Sequence, residues 1–272
     1  LGLPLQSLEI ELGPSQVEAV FDATDALTAA DQMVLFRNGV RQALRRAGYL
    51  ATFMCRPPFP AIMSSGWHLH QSLVERDSGR NAFARPAPAE GSQPGEARHT
   101  LSDVGAHWLA GLLAHAPGMT ALCTPTVNGY GRFRPNALAP QRILWGQDNR
   151  GAMLRVVGGP GDPATRIENR IGEPAANPYL YMASQIHAGL DGLLRGLEPP
   201  AASDTPYGAD HALLPDHLGN ALTALQSDGC MVDGLGPSVV QHFCRIKQSE
   251  IDRHTDAKDK TDFERREYFS RY

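Results

Sequence analysis

The sequence predicts an α+β fold, on the basis of three observations. Apolar and polar residues alternate over Ser7–Phe21, as in strands with one buried face, and Gly13–Ser15 marks a turn between two such strands. Over Thr24–Gly48 the apolar spacing changes to that of an amphipathic helix. No regular strand–helix–strand alternation follows, so a purely parallel sheet is not indicated.

The remaining elements continue this mixed pattern. Apolar runs predict three further strands, at Tyr49–Met54, Trp67–Leu73 and Ile167–Ile171. Helical spacing and start signals predict four further helices: Thr100/Asp103 to His115, Asn177/Pro178 to Leu194, Leu218–Leu225, and Val239–Tyr272 with a restart at a Thr261/Glu264 capping box. Glu75–His99 is rich in Pro, Gly and charged residues and is predicted to be a loop.

The composition restricts the class of protein. The chain has 272 residues, 42% of them hydrophobic, which is enough for one large domain with a substantial core. A net charge of −4 argues against binding to nucleic acid or to a membrane surface, and no apolar run approaches the roughly 18 residues of a membrane helix. Four scattered cysteines without a CxxC pair argue against a disulfide framework or a thiolate zinc site and favour the cytoplasm: Cys55, Cys123, Cys230 and Cys244.

Two groups of residues are suited to binding a divalent cation. Glu11 and Glu18 flank the Gly13–Ser15 turn, where two carboxylates can converge on Mg²⁺ or Mn²⁺, although ordinary exposed acids have the same spacing. His68 and His70 share one face of a strand, because side chains alternate in strands. They fit a metal or phosphate site, and two hydrogen-bonded histidines within a sheet are the alternative.

Charged residues of alternating sign form a third group, Arg166, Glu168 and Arg170. In a strand these side chains lie on one face, a suitable lining for a site that holds metal and phosphates together, unless the strand is a solvated edge. A fourth group of residues can clamp carboxylate and phosphate oxygens, with surface salt bridges as the alternative: Arg132, Arg134, Arg150 and Arg155. No Walker A loop or GxGxxG fingerprint accompanies them.

In this order the groups resemble the catalytic domain of the glutamine synthetase family over nearly the whole chain. Seven segments stand in family order: ATFM, SGWHLHQSL, TPTVNGYGRFRPNALAP, WGQDNRGAMLRV, RIENRIGEPAANPYL, AGLDGL and REYFSRY. The resemblance implies that family's fold, a curved antiparallel sheet flanked by helices. It also implies its reaction, in which ATP phosphorylates the side-chain carboxylate of glutamate and an amine displaces phosphate from the acyl phosphate.

The resemblance assigns roles to individual residues. The implied ligands of two or more Mg²⁺ or Mn²⁺ ions are Glu11, Glu18, His68 and Glu168. The implied contacts to ATP are His70, Ser72, Arg150, Arg155 and Arg166. Arg132 and Arg170 are implied to hold the carboxylate substrate, and with Arg150 they form the expected catalytic set.

Departures from the family pattern concern both substrates. The family loop reads PGYEAP, and its Glu takes a proton from the ammonium nucleophile, whereas Leu138 stands there in this chain. Trp67 replaces a family Met, and the Asn-Gly pair that helps to hold glutamate is missing. With Leu138 and Trp67 as substrate-binding residues, we predict a γ-glutamyl-amide ligase for an organic amine with an apolar body. The alternatives are an ammonia-dependent glutamine synthetase and a non-catalytic nucleotide-binding relative.

Further expectations concern the whole molecule. By resemblance, residues 1–272 are the C-terminal part of a catalytic domain, without the family's β-grasp-like N-terminal domain and a strand with a Glu-x-Glu pair, so this chain alone is expected to be inactive. The complete protein is expected to be a homo-oligomer of stacked hexameric rings, a dodecamer by resemblance. Its expected partners are small-molecule acid and amine substrates.

Overall fold

The structure is a computed structural model that describes residues 1–135, 137–208 and 210–272. Within these residues the strands are β1 (Leu5–Ile10), β2 (Val17–Phe21), β3 (Leu69–Gln71), β4 (Trp145–Gln147), β5 (Leu154–Val157) and β6 (Arg166–Asn169). The α-helices are α1 (Ala26–Arg46), α2 (Ala97–Thr100), α3 (Asp103–Ala114), α4 (Ala116–Cys123), α5 (Pro178–Arg195), α6 (Leu218–Ser227), α7 (Gly229–Leu235), α8 (Pro237–Asp256) and α9 (Lys260–Glu264). This mixture confirms the α+β prediction.

The strands form two sheets. β1 and β2 pair as an antiparallel hairpin, and the other four strands form a sheet in the order β3–β6–β5–β4. β6 is antiparallel to both β3 and β5, whereas β4 and β5 are parallel. The sheet is therefore antiparallel, as predicted, except at the β4–β5 pair. The chain leaves β4 through Asp148, whose φ of 47° is left-handed, and loops back so that Leu154 lies beside Trp145.

The register of this sheet aligns three chemically active residues. His70 on β3 pairs with Glu168 on β6, and Glu168 pairs in turn with Arg155 on β5. Residues that lie opposite one another on neighbouring strands direct their side chains to the same face. The sheet therefore brings an imidazole, a carboxylate and a guanidinium together in one row.

The other face of the sheet packs against helices to form the core. Its buried members include Leu109 and Leu112 of α3, Leu154 of β5 and Ile167 of β6. Helices α3 and α5 cross so closely that a Cβ atom added to Gly192 would lie 2.1 Å from the carbonyl oxygen of His107. Only glycine fits at such a crossing, because any side chain there would force the helices apart.

Helix α5 confirms its prediction almost residue for residue. The Asn177 side chain accepts hydrogen bonds from the amides of Tyr179 and Leu180, and Pro178 occupies the first helical position. At the other end, Gly196 adopts a left-handed conformation with φ of 60° and ends the helix. These local signals are independent of tertiary contacts, which explains why the sequence located the helix well.

Two other predictions are wrong. Tyr49–Met54 forms no strand, because its neighbours in the described part of the chain offer it no partner strand, and the Tyr49 amide bonds back to the Leu44 carbonyl. The predicted C-terminal helix does restart, since it is divided into α8, α9 and a π-helical turn, Arg265–Phe269, but the predicted capping box is wrong. Asp259, and not Thr261, caps α9, since its side chain accepts the Asp262 amide. No helix of the described residues is long and apolar enough to cross a membrane.

Candidate active site

Four side chains converge on the carboxylate of Glu168, which is only 2% exposed. His68 Nδ1 lies 3.3 Å and His70 Nε2 lies 3.9 Å from its Oε1 atom. Arg155 Nη1 donates to Oε2 at 3.1 Å, and Arg170 Nη1 donates to Oε1. We call these five residues the Glu168 cluster. Its mixture of imidazole, carboxylate and guanidinium groups is suited to a site for both cations and anionic oxygens.

The two histidines of this cluster are held in the neutral state. Burial lowers the pKa of His68 well below its usual value, and the charges of Arg170 and Arg132 lower that pKa further. Burial also lowers the pKa of His70, with the Glu168 charge acting in the opposite direction. A neutral imidazole has a free nitrogen lone pair, which is what a metal ligand requires.

The tautomer of His70 follows from its hydrogen bond to Arg166. Arg166 Nε donates to His70 Nδ1 at 3.0 Å, so Nδ1 is the acceptor and the ring proton of the neutral imidazole is on Nε2. Arg166 also donates through Nη1 to the carbonyl of Ala164. His70 is half-exposed, and it presents an N–H donor beside the Glu168 carboxylate, as a phosphate-binding group would.

The β1–β2 hairpin brings two further carboxylates to this region. The side chain of Gln16 accepts the Gly13 amide at 2.8 Å and donates to the Ser65 hydroxyl at 2.9 Å, which fixes the hairpin turn beside the segment that leads into His68. Burial, a hydrogen bond with Glu11, and the charges of Glu11, Glu9 and Glu168 raise the pKa of Glu18 to about 7. Carboxylates that repel one another in this way are stabilised by a bound cation.

The four predicted metal ligands are close but are not drawn into a tight cluster. Across residues 1–135, 137–208 and 210–272, no three of Glu11, Glu18, His68 and Glu168 have donor atoms within 4.8 Å of one another. The carboxylate of Glu168 is instead occupied by Arg155 and Arg170. The donor set fits Mg²⁺ or Mn²⁺ in chemistry, since these ions take oxygen ligands and tolerate an imidazole.

Arg132 is buried and binds the backbone beside Arg170. Its guanidinium donates to the carbonyl of Ile171 at 2.7 Å and to the carbonyl of Arg170. It lies at the end of a 3₁₀ helix, Asn128–Arg132, whose preceding turn is fixed by Glu173, which accepts the Thr126 amide and hydroxyl at 2.8 and 2.9 Å. Arg132 thus positions the strand end that contains Arg170.

Arg170 links the Glu168 cluster to the loop that contains Leu138. Its Nη2 atom donates to the Leu138 carbonyl at 3.3 Å, and within the described residues its buried Nε atom has no hydrogen-bond partner. Leu138 has a left-handed φ of 53°, and half of its surface is exposed. The loop therefore presents an apolar side chain next to an arginine whose Nε–H group is available to donate a hydrogen bond. Residue 136 lies outside the described residues.

Three of the predicted residues are not among the side chains that contact Glu168 in the described part of the chain. The Trp67 ring contacts the buried Tyr181 ring at a centroid distance of 5.0 Å, and the Arg37 guanidinium lies 4.8 Å above it. His68 contacts Glu168, whereas its neighbour Trp67 is partly buried and packs against the core. Ser72 and Arg150 are exposed.

Two contributors to the site were not singled out from the sequence. Asp148 accepts hydrogen bonds from Arg155, one of them from Nε at 2.9 Å, and so orients that guanidinium towards Glu168. Gln16 fixes the hairpin through Ser65. Asp148 lies within the WGQDNR segment, so its nearness to an arginine seven residues later was the available signal. Nothing local in the sequence connects Gln16 with Ser65.

The fold and the site together define a family. The model of the glutamine synthetase catalytic domain matches residues 1–268, and the chain belongs to the glutamine synthetase family. It is 43% identical to γ-glutamylanilide synthase of Acinetobacter sp, over 99% of this chain and 54% of that protein. It is 38% identical to glutamine synthetase of Halobacterium salinarum, over 92% of this chain and 54% of that protein.

A solved structure is similar over nearly the whole chain. The complex of GmaS with ADP superposes with a TM-score of 0.82 at 30% identity, covering 98% of this chain and 60% of that one. The chain therefore spans little more than half the length of the relatives that it matches.

Proposed function

We propose that the complete protein is an ATP-dependent carboxylate–amine ligase that joins glutamate and an organic amine through an acyl-phosphate intermediate. The observation that supports this most directly is the Glu168 cluster, in which one buried carboxylate lies between neutral imidazoles and two arginines. Transfer of a phosphoryl group depends on positioning and charge neutralisation more than on covalent help from the protein. The cluster supplies groups for both.

Each group has a defined part in this proposal. Glu11, Glu18, His68 and Glu168 would hold Mg²⁺ or Mn²⁺, two or more ions per site, which would neutralise phosphate charge when bound. Arg155, Arg166 and the Nε2–H of His70 face the phosphates of ATP, with Ser72 and Arg150 as exposed residues at the nucleotide's edge. Arg170 holds the carboxylate of the acid, and Arg132 fixes its backbone.

Leu138 supports an amine with an apolar body. A carboxylate at this position can bind ammonium and remove a proton, and a leucine can do neither. An arylamine is neutral near pH 7 and needs no such base before it attacks. The similarity to γ-glutamylanilide synthase is in keeping with an aromatic amine, and we propose aniline-like compounds as the amine class. Each buried CH₂ group of such a substrate contributes about 0.8 kcal/mol.

An amine panel with the complete protein tests the proposal. We expect phosphate release from ATP that requires glutamate and is greatest with aniline, compared with methylamine, ethanolamine and ammonium. Glu168→Gln should abolish the activity, whereas Glu90→Gln, a matched change at an exposed acid, should leave it intact. Preference for ammonium would favour a glutamine synthetase, and nucleotide binding without phosphate release would favour a non-catalytic relative. Either result would refute the amine ligase.

Assembly and location complete the proposal. We propose that the complete protein is a cytoplasmic homo-oligomer of the stacked-ring type, and its four cysteines, free in this structure, are compatible with a reducing compartment. Mass photometry of the complete protein should show a large assembly. Only monomers at working concentration would contradict this.

A further inference from the structure

A second group of metal-ligating side chains lies among the helices. His115 stands between α3 and α4, Asp228 caps the start of α7, and Cys230 lies in the first turn of that helix. One donor atom from each residue lies within 4.8 Å of the other two. Within the described residues this is the one group of three His, Cys, Asp or Glu side chains that meets that limit. We call these three residues the His115 cluster.

The imidazole of His115 is held at both ring nitrogens. Nδ1 lies 2.9 and 3.0 Å from the two carboxylate oxygens of Asp228, and Nε2 lies 2.8 Å from Asp191 on α5. Arg195 donates to the same Asp191 oxygen at 2.9 Å, which fixes that carboxylate. Histidines that bind metals almost always donate their other ring N–H to a carboxylate or carbonyl group. Asp191 is placed for that outer role, and Nδ1 is turned towards Asp228.

The thiol of Cys230 adds a sulfur donor to the nitrogen and oxygen donors. It donates weakly to the His187 carbonyl at 3.4 Å. Burial, followed by the charges of Asp191 and Asp228, raises the pKa of this thiol to about 11, so the thiolate forms only with a bound cation beside it. Mg²⁺ and Mn²⁺ favour oxygen ligands and tolerate an imidazole, whereas a set that includes a thiolate with imidazole and carboxylate is typical of Zn²⁺. The donor set therefore differs in kind from that of the Glu168 cluster, which contains no thiol.

We propose that the His115 cluster is a Zn²⁺ site separate from the candidate active site. His115 Nδ1, an Asp228 oxygen and Cys230 Sγ bind the ion, water takes the fourth position, and Asp191 orients the imidazole. Metal–ligand bonds of about 2.0–2.3 Å require small shifts, because an ion must enter between His115 Nδ1 and Asp228, which lie 2.9 Å apart, and the thiol must approach it. Binding releases to solvent the proton that His115 shares with Asp228 and the thiol proton of Cys230, so no other reactant is needed.

The position of the cluster gives the ion a structural role. Asp191 lies 13 residues beyond Pro178 in α5, which is about 20 Å along the helix at roughly 1.5 Å per residue. Pro178 is the N-terminal end of α5, and it is the end of the helix nearer in sequence to Arg170 of the Glu168 cluster. A bound ion would join the start of α4 to the start of α7, and its outer ligand would tie both to α5.

Cobalt provides the test, because a Co²⁺–thiolate bond has its own near-ultraviolet charge-transfer absorption. Titration of the 272-residue chain with Co²⁺ should produce this band with one equivalent, and Zn²⁺ should remove it. Cys230→Ser should abolish the band. Cys244→Ser, a matched change on α8, should retain it. Metal at the Glu168 cluster is silent in this assay, since that cluster offers no sulfur, so the result is independent of the proposed ligase activity.

A second variant keeps the test decisive if the cysteine change perturbs folding. Asp191→Asn leaves all three ligands in place, and loss of an outer carboxylate typically weakens metal binding by roughly 10–100-fold. We expect the band to remain but to require correspondingly more Co²⁺. A folded wild-type chain without the band, or a band that persists in Cys230→Ser, would overturn the proposal and leave His115 as an imidazolium bridging two aspartates. Unchanged Co²⁺ affinity in Asp191→Asn would also contradict it.

Discussion

Glu18 is a carboxyl group whose charge the fold disfavours, and this makes stability depend on pH in a defined way. It lies on β2 opposite Glu9 of β1 and hydrogen-bonds with Glu11. Burial comes first among the causes that raise its pKa from 4.5 to about 7, followed by Glu11, Glu9 and Glu168. We predict that Glu18→Gln stabilises the metal-free chain at pH 8 and has little effect at pH 5.

The sign follows from the raised pKa. The folded state holds the Glu18 proton more tightly than the unfolded state does, so this contribution to stability is fully present below pH 4.5 and is lost as the pH rises through about 7. Such a rise is equivalent to about 3 kcal/mol for a fully buried group. Glu18 is partly exposed, and solvent screening reduces the expected effect to roughly 1–2 kcal/mol. Glutamine removes the charge and so avoids this cost at high pH.

Urea unfolding in the presence of a chelator measures the difference. Wild type, Glu18→Gln and the exposed control Glu90→Gln should be compared at pH 5 and pH 8. Added Mn²⁺ should then stabilise the wild type at pH 8 and should stabilise Glu18→Gln much less, because the variant lacks a proposed ligand. A free energy of unfolding for Glu18→Gln that equals the wild-type value at both pH values would refute the reasoning.

Three further changes test other parts of the structure. In the complete protein, Leu138→Glu should shift the ratio of kcat/KM for aniline over ammonium at least about tenfold towards ammonium. The variant loses an apolar contact of about 1–3 kcal/mol with the aniline ring and gains a base for ammonium. An unchanged ratio would exclude a role for Leu138 in choosing the amine. Gly192→Ala should lower the free energy of unfolding by roughly 1–3 kcal/mol, because the new Cβ would lie 2.1 Å from a carbonyl oxygen. The control Gly229→Ala has open space around its Cβ and should raise the free energy of unfolding by about 0.5–1 kcal/mol. Equal effects of the two changes in urea unfolding would contradict the close crossing of α3 and α5. Tyr268→Phe should lower the free energy of unfolding by about 1–2 kcal/mol and speed hydrogen exchange at Val127, whose amide donates to the Tyr268 hydroxyl at 3.3 Å. Unaltered exchange would show that this hydrogen bond does not hold the turn before Arg132.

Local signals explain which elements the sequence predicts well. Helix α5 begins at an Asn cap followed by proline and ends at a left-handed glycine, and each of these features acts within a few residues. Tyr49–Met54 has the apolar content of a strand, but a strand exists only when another strand bonds to it. The chain supplies no such neighbour among the described residues, and composition cannot reveal that.

The same distinction applies to the site. Alternation alone places His68 and His70 on one face and Glu168 and Arg170 on another strand's face, and the register of β3 with β6 then joins them. Alternation also assigns Trp67 to the opposite face. The expectation that Trp67 binds substrate used the family position alone, and in the structure its ring packs against Tyr181.

Cysteine spacing shows a limit of sequence reasoning of another kind. The absence of a CxxC pair excludes ligands that are neighbours in sequence, and on that basis a thiolate metal site was not expected. Cys230 nevertheless lies beside His115, a residue more than a hundred positions earlier, because α4 and α7 begin at the same place in the fold. Helix starts converge through packing of whole helices, and packing depends on apolar faces spread over many residues. A ligand group assembled in this way has no signature in the spacing of its members, so only the three-dimensional arrangement could have pointed to it.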